Sequence, residues 1–73
     1  MAALPIVSGA QCIVALNKIG YEVVRQKGSH VRLTAPGRRS VTVPIHHELD
    51  RGTLRSIIRT ADLTPEEFIA LLG

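Results

Sequence analysis

One short run concentrates most of the chemically useful side chains of this chain: Arg25-Gln26-Lys27-Gly28-Ser29-His30, with Arg32 two residues on. Histidine is the one side chain that titrates near neutral pH without a perturbed environment, and the chain has three: His30, His46 and His47. His30 is the best placed. It follows Gly28-Ser29 directly, a tight turn at which a ligand can approach the backbone closely. Arg25, Lys27 and Arg32 lie within a few residues, and Arg38 and Arg39 come from the next turn. An imidazole among cations suits acid–base work on a phosphodiester. It can take the proton of a ribose 2′-hydroxyl or give one to the leaving 5′-oxygen, while the cations neutralise phosphate charge. The expected division of labour is His30 for proton transfer, Gly28 and Ser29 for access, and Arg25, Lys27, Arg32, Arg38 and Arg39 for RNA phosphates. The plainer alternative is an exposed strand histidine with no role.

The remaining candidates carry less. His46 and His47, with Glu48 and Asp50, have the residue types of a metal site. Adjacent side chains of an extended segment point to opposite sides, however, so both imidazoles rarely reach one ion. No metal and no cofactor is expected. Cys12 has no partner for an internal disulfide and reads as a small core residue. Arg51, Arg55 and Arg59 recur at i, i+4 and i+8, a stripe of like charge along a helix that is eased by an anion against it or else simply solvated. Gly-rich phosphate loops, a Ser/His/Asp set and paired carboxylates for metal-assisted hydrolysis are not recognisable.

Composition agrees with a polyanionic partner. The net charge is +3 over 73 residues, and a basic excess in so small a domain favours one. Tyr21 and Phe68 are the only aromatics, too few for a platform of stacked bases. A single unpaired cysteine fits a reducing compartment, most simply the cytoplasm. Met1 to Val7 is apolar but short, lacks a basic start and contains Pro5, unlike a targeting segment, and no apolar run reaches the roughly 20 residues of a membrane span.

The elements that must position these residues follow from periodicity. The chain reads as one domain, residues 1–73. Ser8-Gly9-Ala10-Gln11 has capping-box spacing, and Cys12, Ala15, Leu16 and Ile19 fall on one helical face before the stop at Gly20. Tyr21 to Gln26, His30 to Thr34 and Ser40 to Ile45 read as three strands joined by tight turns. Alternation puts Val31, Leu33, Val41, Val43 and Ile45 inward, and His30, Arg32, Thr34, Ser40 and Thr42 outward. Asp50 caps a second helix that buries Leu54, Ile57, Ile58 and Ala61. Thr64-Pro65-Glu66-Glu67 opens a short third, with Phe68, Leu71 and Leu72 closing the core. Helices must cover the one apolar face of this antiparallel meander, giving an α+β two-layer sandwich of order α-β-β-β-α with a short C-terminal helix. His30 then stands on the open face.

These residues resemble a known family. Gly20-Tyr21-Glu22-Val23-Val24-Arg25-Gln26-Lys27-Gly28-Ser29-His30, then Val41-Thr42-Val43-Pro44 with His46, Gly52-Thr53-Leu54-Arg55-Ser56-Ile57-Ile58 and Leu63-Thr64-Pro65-Glu66-Glu67-Phe68 look like the HicA-like (YcfA-like) mRNA interferase toxins of type II toxin–antitoxin systems. The likeness runs over residues 4–72. It implies a double-stranded-RNA-binding-domain-like fold, translation-independent cleavage of mRNA, and a catalytic role for His30, with Gly28 and Ser29 presenting it and Lys27 beside it. It also implies a HicB-like antitoxin as partner, with no membrane association and no DNA contact by the toxin alone. The residues by themselves leave two other readings open: a non-catalytic RNA-binding module of the same fold, and a protein-interaction domain. They also leave open which group complements His30 as a second acid or base.

Overall fold

A computed structural model describes residues 3–73, so Met1 and Ala2, which the sequence reading includes in one domain of residues 1–73, lie outside the described residues. The element order is α1 (Gly9–Asn17), β1 (Glu22–Lys27), β2 (His30–Ala35), β3 (Arg38–Pro44), α2 (Arg51–Thr60) and α3 (Pro65–Leu72). The three strands form one antiparallel sheet in the order β1-β2-β3. Helices lie on one face and leave the other open, which is the expected α+β, double-stranded-RNA-binding-domain-like arrangement.

Local chemistry sets the helix ends. The Ser8 hydroxyl accepts from the Gln11 amide at 3.0 Å, and the Gln11 side chain accepts from the Ser8 amide at 2.8 Å. Thr64 and Glu67 repeat this reciprocal pair at 3.1 and 2.8 Å, with Pro65 at the first helical position. Asp50 caps α2 through the Thr53 amide at 3.3 Å. Gly20 adopts φ 100° just past α1, the left-handed conformation that costs glycine least.

The core is continuous and mostly aliphatic, with Tyr21 and Phe68 as its two rings. Cys12, Ala15 and Leu16 of α1 meet Val31 and Leu33 of β2, Val41 and Val43 of β3, Leu54, Ile57 and Ile58 of α2, and Phe68 of α3. Leu4, Val7 and Leu49 from the connecting segments join it. Burial pushes the Cys12 thiol up to about 12, so at neutral pH it is a protonated packing group rather than a nucleophile.

The structure adds three details to the sequence reading, each with a tertiary cause. Ile45 does not continue the inward row of β3 and is 41% exposed. Pro44 has no amide proton and ends the ladder, after which the Ile45 amide turns to the Ser29 carbonyl at 2.6 Å. Val23 pairs with the inward Leu33, yet no residue of β1 is buried, because the helix layer stops short of this edge strand. Tyr21, read as the first strand residue, lies just before β1 and is a buried core ring, whose hydroxyl donates to the Arg39 carbonyl at 2.6 Å.

Candidate functional site

The site is built on the β1–β2 hairpin. Lys27 and His30 pair across a two-residue loop, and Gly28 sits at φ 60°. A left-handed glycine at the first loop position is the arrangement whose twist matches the flanking strands. The loop is fixed from two sides. The Gln26 side-chain amide donates to the Gly28 carbonyl at 3.2 Å, and the Ile45 amide donates to the Ser29 carbonyl. His30 pairs in turn with Pro44 of β3.

Cross-strand pairing decides which side chains share the open face. Residues directly opposite in an antiparallel sheet point to the same side. Lys27 is opposite His30, Arg25 is opposite Arg32, and Arg32 is opposite Thr42. A register shift between Val23 and Arg25 sets Arg25 in phase with Arg32. Together Arg25, Lys27, Gly28, Ser29, His30, Arg32 and Thr42 line one shallow cleft of about 540 Å³. Three permanent cations and an imidazole surround it, and no carboxylate lines it. Two arginines directly opposite one another repel, so this stretch of sheet gives up some stability and is relieved by an anion in the cleft.

The structure thus brings together Arg25, Lys27, Gly28, Ser29, His30 and Arg32. It does not bring Arg38 and Arg39 to them. Arg38 pairs with Ala35 at the far end of β2 and β3, while His30 pairs with Pro44. Six residues of strand separate these two ends, about 20 Å at the usual rise. Arg38 Nη1 donates to the Ala61 carbonyl at 2.5 Å, so this side chain ties β3 to the end of α2. Thr42 lines the cleft without having been singled out beyond its outward position. Its place opposite Arg32 is the signal that finds it.

Two further features shape the site from outside. Gly9, at the start of α1, lies against the Pro44 carbonyl so closely that a Cβ there would collide with it. The Gly9 amide donates to the His46 carbonyl at 2.9 Å, and the Leu49 amide to the Val7 carbonyl at 2.7 Å. The stretch from Pro44 to Leu49 is therefore clamped between α1 and the histidine-bearing loop. His46 and His47 are exposed within it. Among the described residues no three His, Cys, Asp or Glu side chains gather as a metal-binding group, and no helix is long and apolar enough to cross a membrane.

Comparison with known proteins adds the family. No individually curated protein matches the chain. The sequence profile described as HicA toxin of bacterial toxin–antitoxin matches residues 9–63, about three quarters of the chain, from the first turn of α1 to the residue before the α3 cap. That span includes the whole sheet, the His30 cleft and α2, and on this match the chain belongs to the HicA toxin family of bacterial toxin–antitoxin systems.

Proposed function

We propose that this toxin is a metal-independent endoribonuclease that cleaves mRNA, with His30 as its catalytic acid–base group. The observation that carries the reading is the cleft itself: His30 at the end of a fixed glycine turn, with Arg25, Lys27 and Arg32 around it and no carboxylate in the lining. The family gives the toxin role, and the lining of the cleft supports this reading of its chemistry.

The reaction that fits is transfer of the scissile phosphate to the neighbouring 2′-hydroxyl. The 2′-oxygen attacks phosphorus as its proton passes to the neutral imidazole of His30. The bond from phosphorus to the 5′-oxygen breaks, and the leaving oxygen takes a proton from the imidazolium so formed or from water. Arg25, Lys27 and Arg32 stabilise the charge that builds on the non-bridging oxygens, and the hydroxyl of Thr42, in the same lining, can donate to one of them. Gly28 has open space where a side chain would begin, so a sugar–phosphate backbone can come close to the loop.

A HicB-like antitoxin would silence such a toxin by covering this open face, and mRNA as substrate places the activity in the cytoplasm. The test is incubation of purified protein with end-labelled mRNA in EDTA. Fragments ending in a 2′,3′-cyclic phosphate are expected. RNA that is bound but left intact would replace this reading with a non-catalytic RNA-binding module.

A further inference from the structure

A second basic cleft lies at the opposite end of the strands from His30. Arg38 and Arg39 reach it from the start of β3, just after the turn at Gly37, and Arg59 and Thr60 from the last turn of α2. It encloses about 560 Å³. Three arginines from two separate elements line it together with one acid, Asp62. A helix C-terminus by itself repels anions, because its last carbonyls carry partial negative charge. Arg38 offsets this by donating to the Ala61 carbonyl. A guanidinium carries five N–H donors, so that bond leaves most of Arg38 available.

The lining points to one kind of ligand. A protein-docking patch is anchored by buried aromatic or aliphatic side chains. This cleft has none, only arginines, a threonine hydroxyl, Asp62 and turn residues including Gly37, whose position is open to close backbone approach. Planar, forked donors of this type match phosphate oxygens two at a time.

We propose that the cleft formed by Arg38, Arg39 and Arg59 holds a second phosphate of the same RNA strand that is cleaved at His30. This rests on the ribonuclease reading and extends it to substrate length. The second cleft lies on the helix side of the far sheet end, so a strand from His30 runs about 15–20 Å along the open face, about five stacked nucleotides at a rise of 3.4 Å, and must then continue over the β2–β3 turn. Short RNA reaches His30 alone, whereas longer RNA reaches both clefts. Asp62 opposes the ligand and sets a brake on its affinity.

The experiment measures binding of fluorescein-labelled RNAs from about two to about twelve nucleotides to the His30→Ala protein, across a salt series. Affinity is expected to step up once the RNA is longer than about five nucleotides. Arg59→Gln, on an exposed position, should remove about a fivefold share of that step and reduce the salt slope by somewhat under one. It should leave the affinity for the shortest RNA unchanged. Arg59→Lys should restore much of the step, and Asp62→Asn should enlarge it. Should Arg59→Gln melt early, Asp62→Asn alone still decides, because it preserves the fold and must move affinity upward.

An unchanged length step in both Arg59→Gln and Asp62→Asn overturns the second-site proposal and leaves the ribonuclease reading standing. Absence of RNA binding at every length at low salt overturns both. Loss of binding to a polyglutamate peptide in Arg59→Gln, with RNA binding intact, assigns the cleft to an acidic protein and overturns the RNA proposal.

Discussion

Gly9→Ala is a substitution for which local propensity and tertiary packing predict opposite signs. Gly9 is the first residue of α1, and alanine is favoured over glycine in a helix by up to about 1 kcal/mol. Propensity alone therefore predicts a more stable protein. Packing predicts the reverse, since the new Cβ would meet the Pro44 carbonyl, an oxygen of backbone that cannot rotate aside. Moving α1 off β3 stretches the bond from the Gly9 amide to the His46 carbonyl, 2.9 Å in the native fold. Overpacking of this kind costs about 1–3 kcal/mol, and loss of the hydrogen bond about 1 kcal/mol more. After the propensity gain, a net loss of about 1–3 kcal/mol remains. In a domain of this size each kcal/mol moves the melting temperature by about 4–8 °C. Thermal denaturation followed by circular dichroism should show Tm falling by at least about 4 °C. The damage should also reach the site, because the Ile45 amide that braces the Ser29 carbonyl belongs to the displaced segment. A Gly9→Ala protein that melts at or above the wild-type temperature would refute the close-approach argument.

Two other predictions concern titratable groups away from the cleft. Cys12 is fully buried with its thiol pushed up to about 12. It should resist a thiol reagent at pH 7 in the folded protein and react fully in denaturant, and rapid labelling under native conditions would contradict this. The Thr64 amide and hydroxyl hold the Glu67 carboxyl below its ordinary 4.5. A lowered folded value means that the carboxylate stabilises the fold above the ordinary carboxylate range and loses this contribution as pH falls through the lowered value. Acid melts should therefore show a shallower pH dependence in Glu67→Gln than in the wild type, and equal slopes would count against this cap.

Much of the architecture is legible in the sequence because it is locally encoded. The Ser8–Gln11 and Thr64–Glu67 boxes mark helix starts by residue type and spacing, and both form as reciprocal pairs. Alternation along 30–34 and 41–43 correctly separates the core residues Val31, Leu33, Val41 and Val43 from the open face that carries His30. What the pattern does not reveal depends on partners distant in sequence. Ile45 looks like the next inward residue until the ladder ends at Pro44. Val23 and Val24 are large apolar residues that the structure leaves exposed, because the helix layer stops short of β1. The need for glycine at position 9 exists only because Pro44 packs there. Arg38 and Arg39 are near His30 by sequence turn, yet antiparallel pairing carries them to the other end of the sheet, where Arg59 joins them.

The most direct test of the central claim compares wild type with His30→Ala on the same RNA, in EDTA, with both proteins shown to melt together. His30 is exposed and its side chain holds no part of the core, so the substitution should leave Tm within a few degrees. General acid–base catalysis by a positioned side chain contributes about a hundredfold to ten-thousandfold, so the cleavage rate should fall by at least about a hundredfold while RNA binding persists through Arg25, Lys27 and Arg32. A folded His30→Ala protein that cleaves RNA at the wild-type rate would show that the chemistry lies elsewhere.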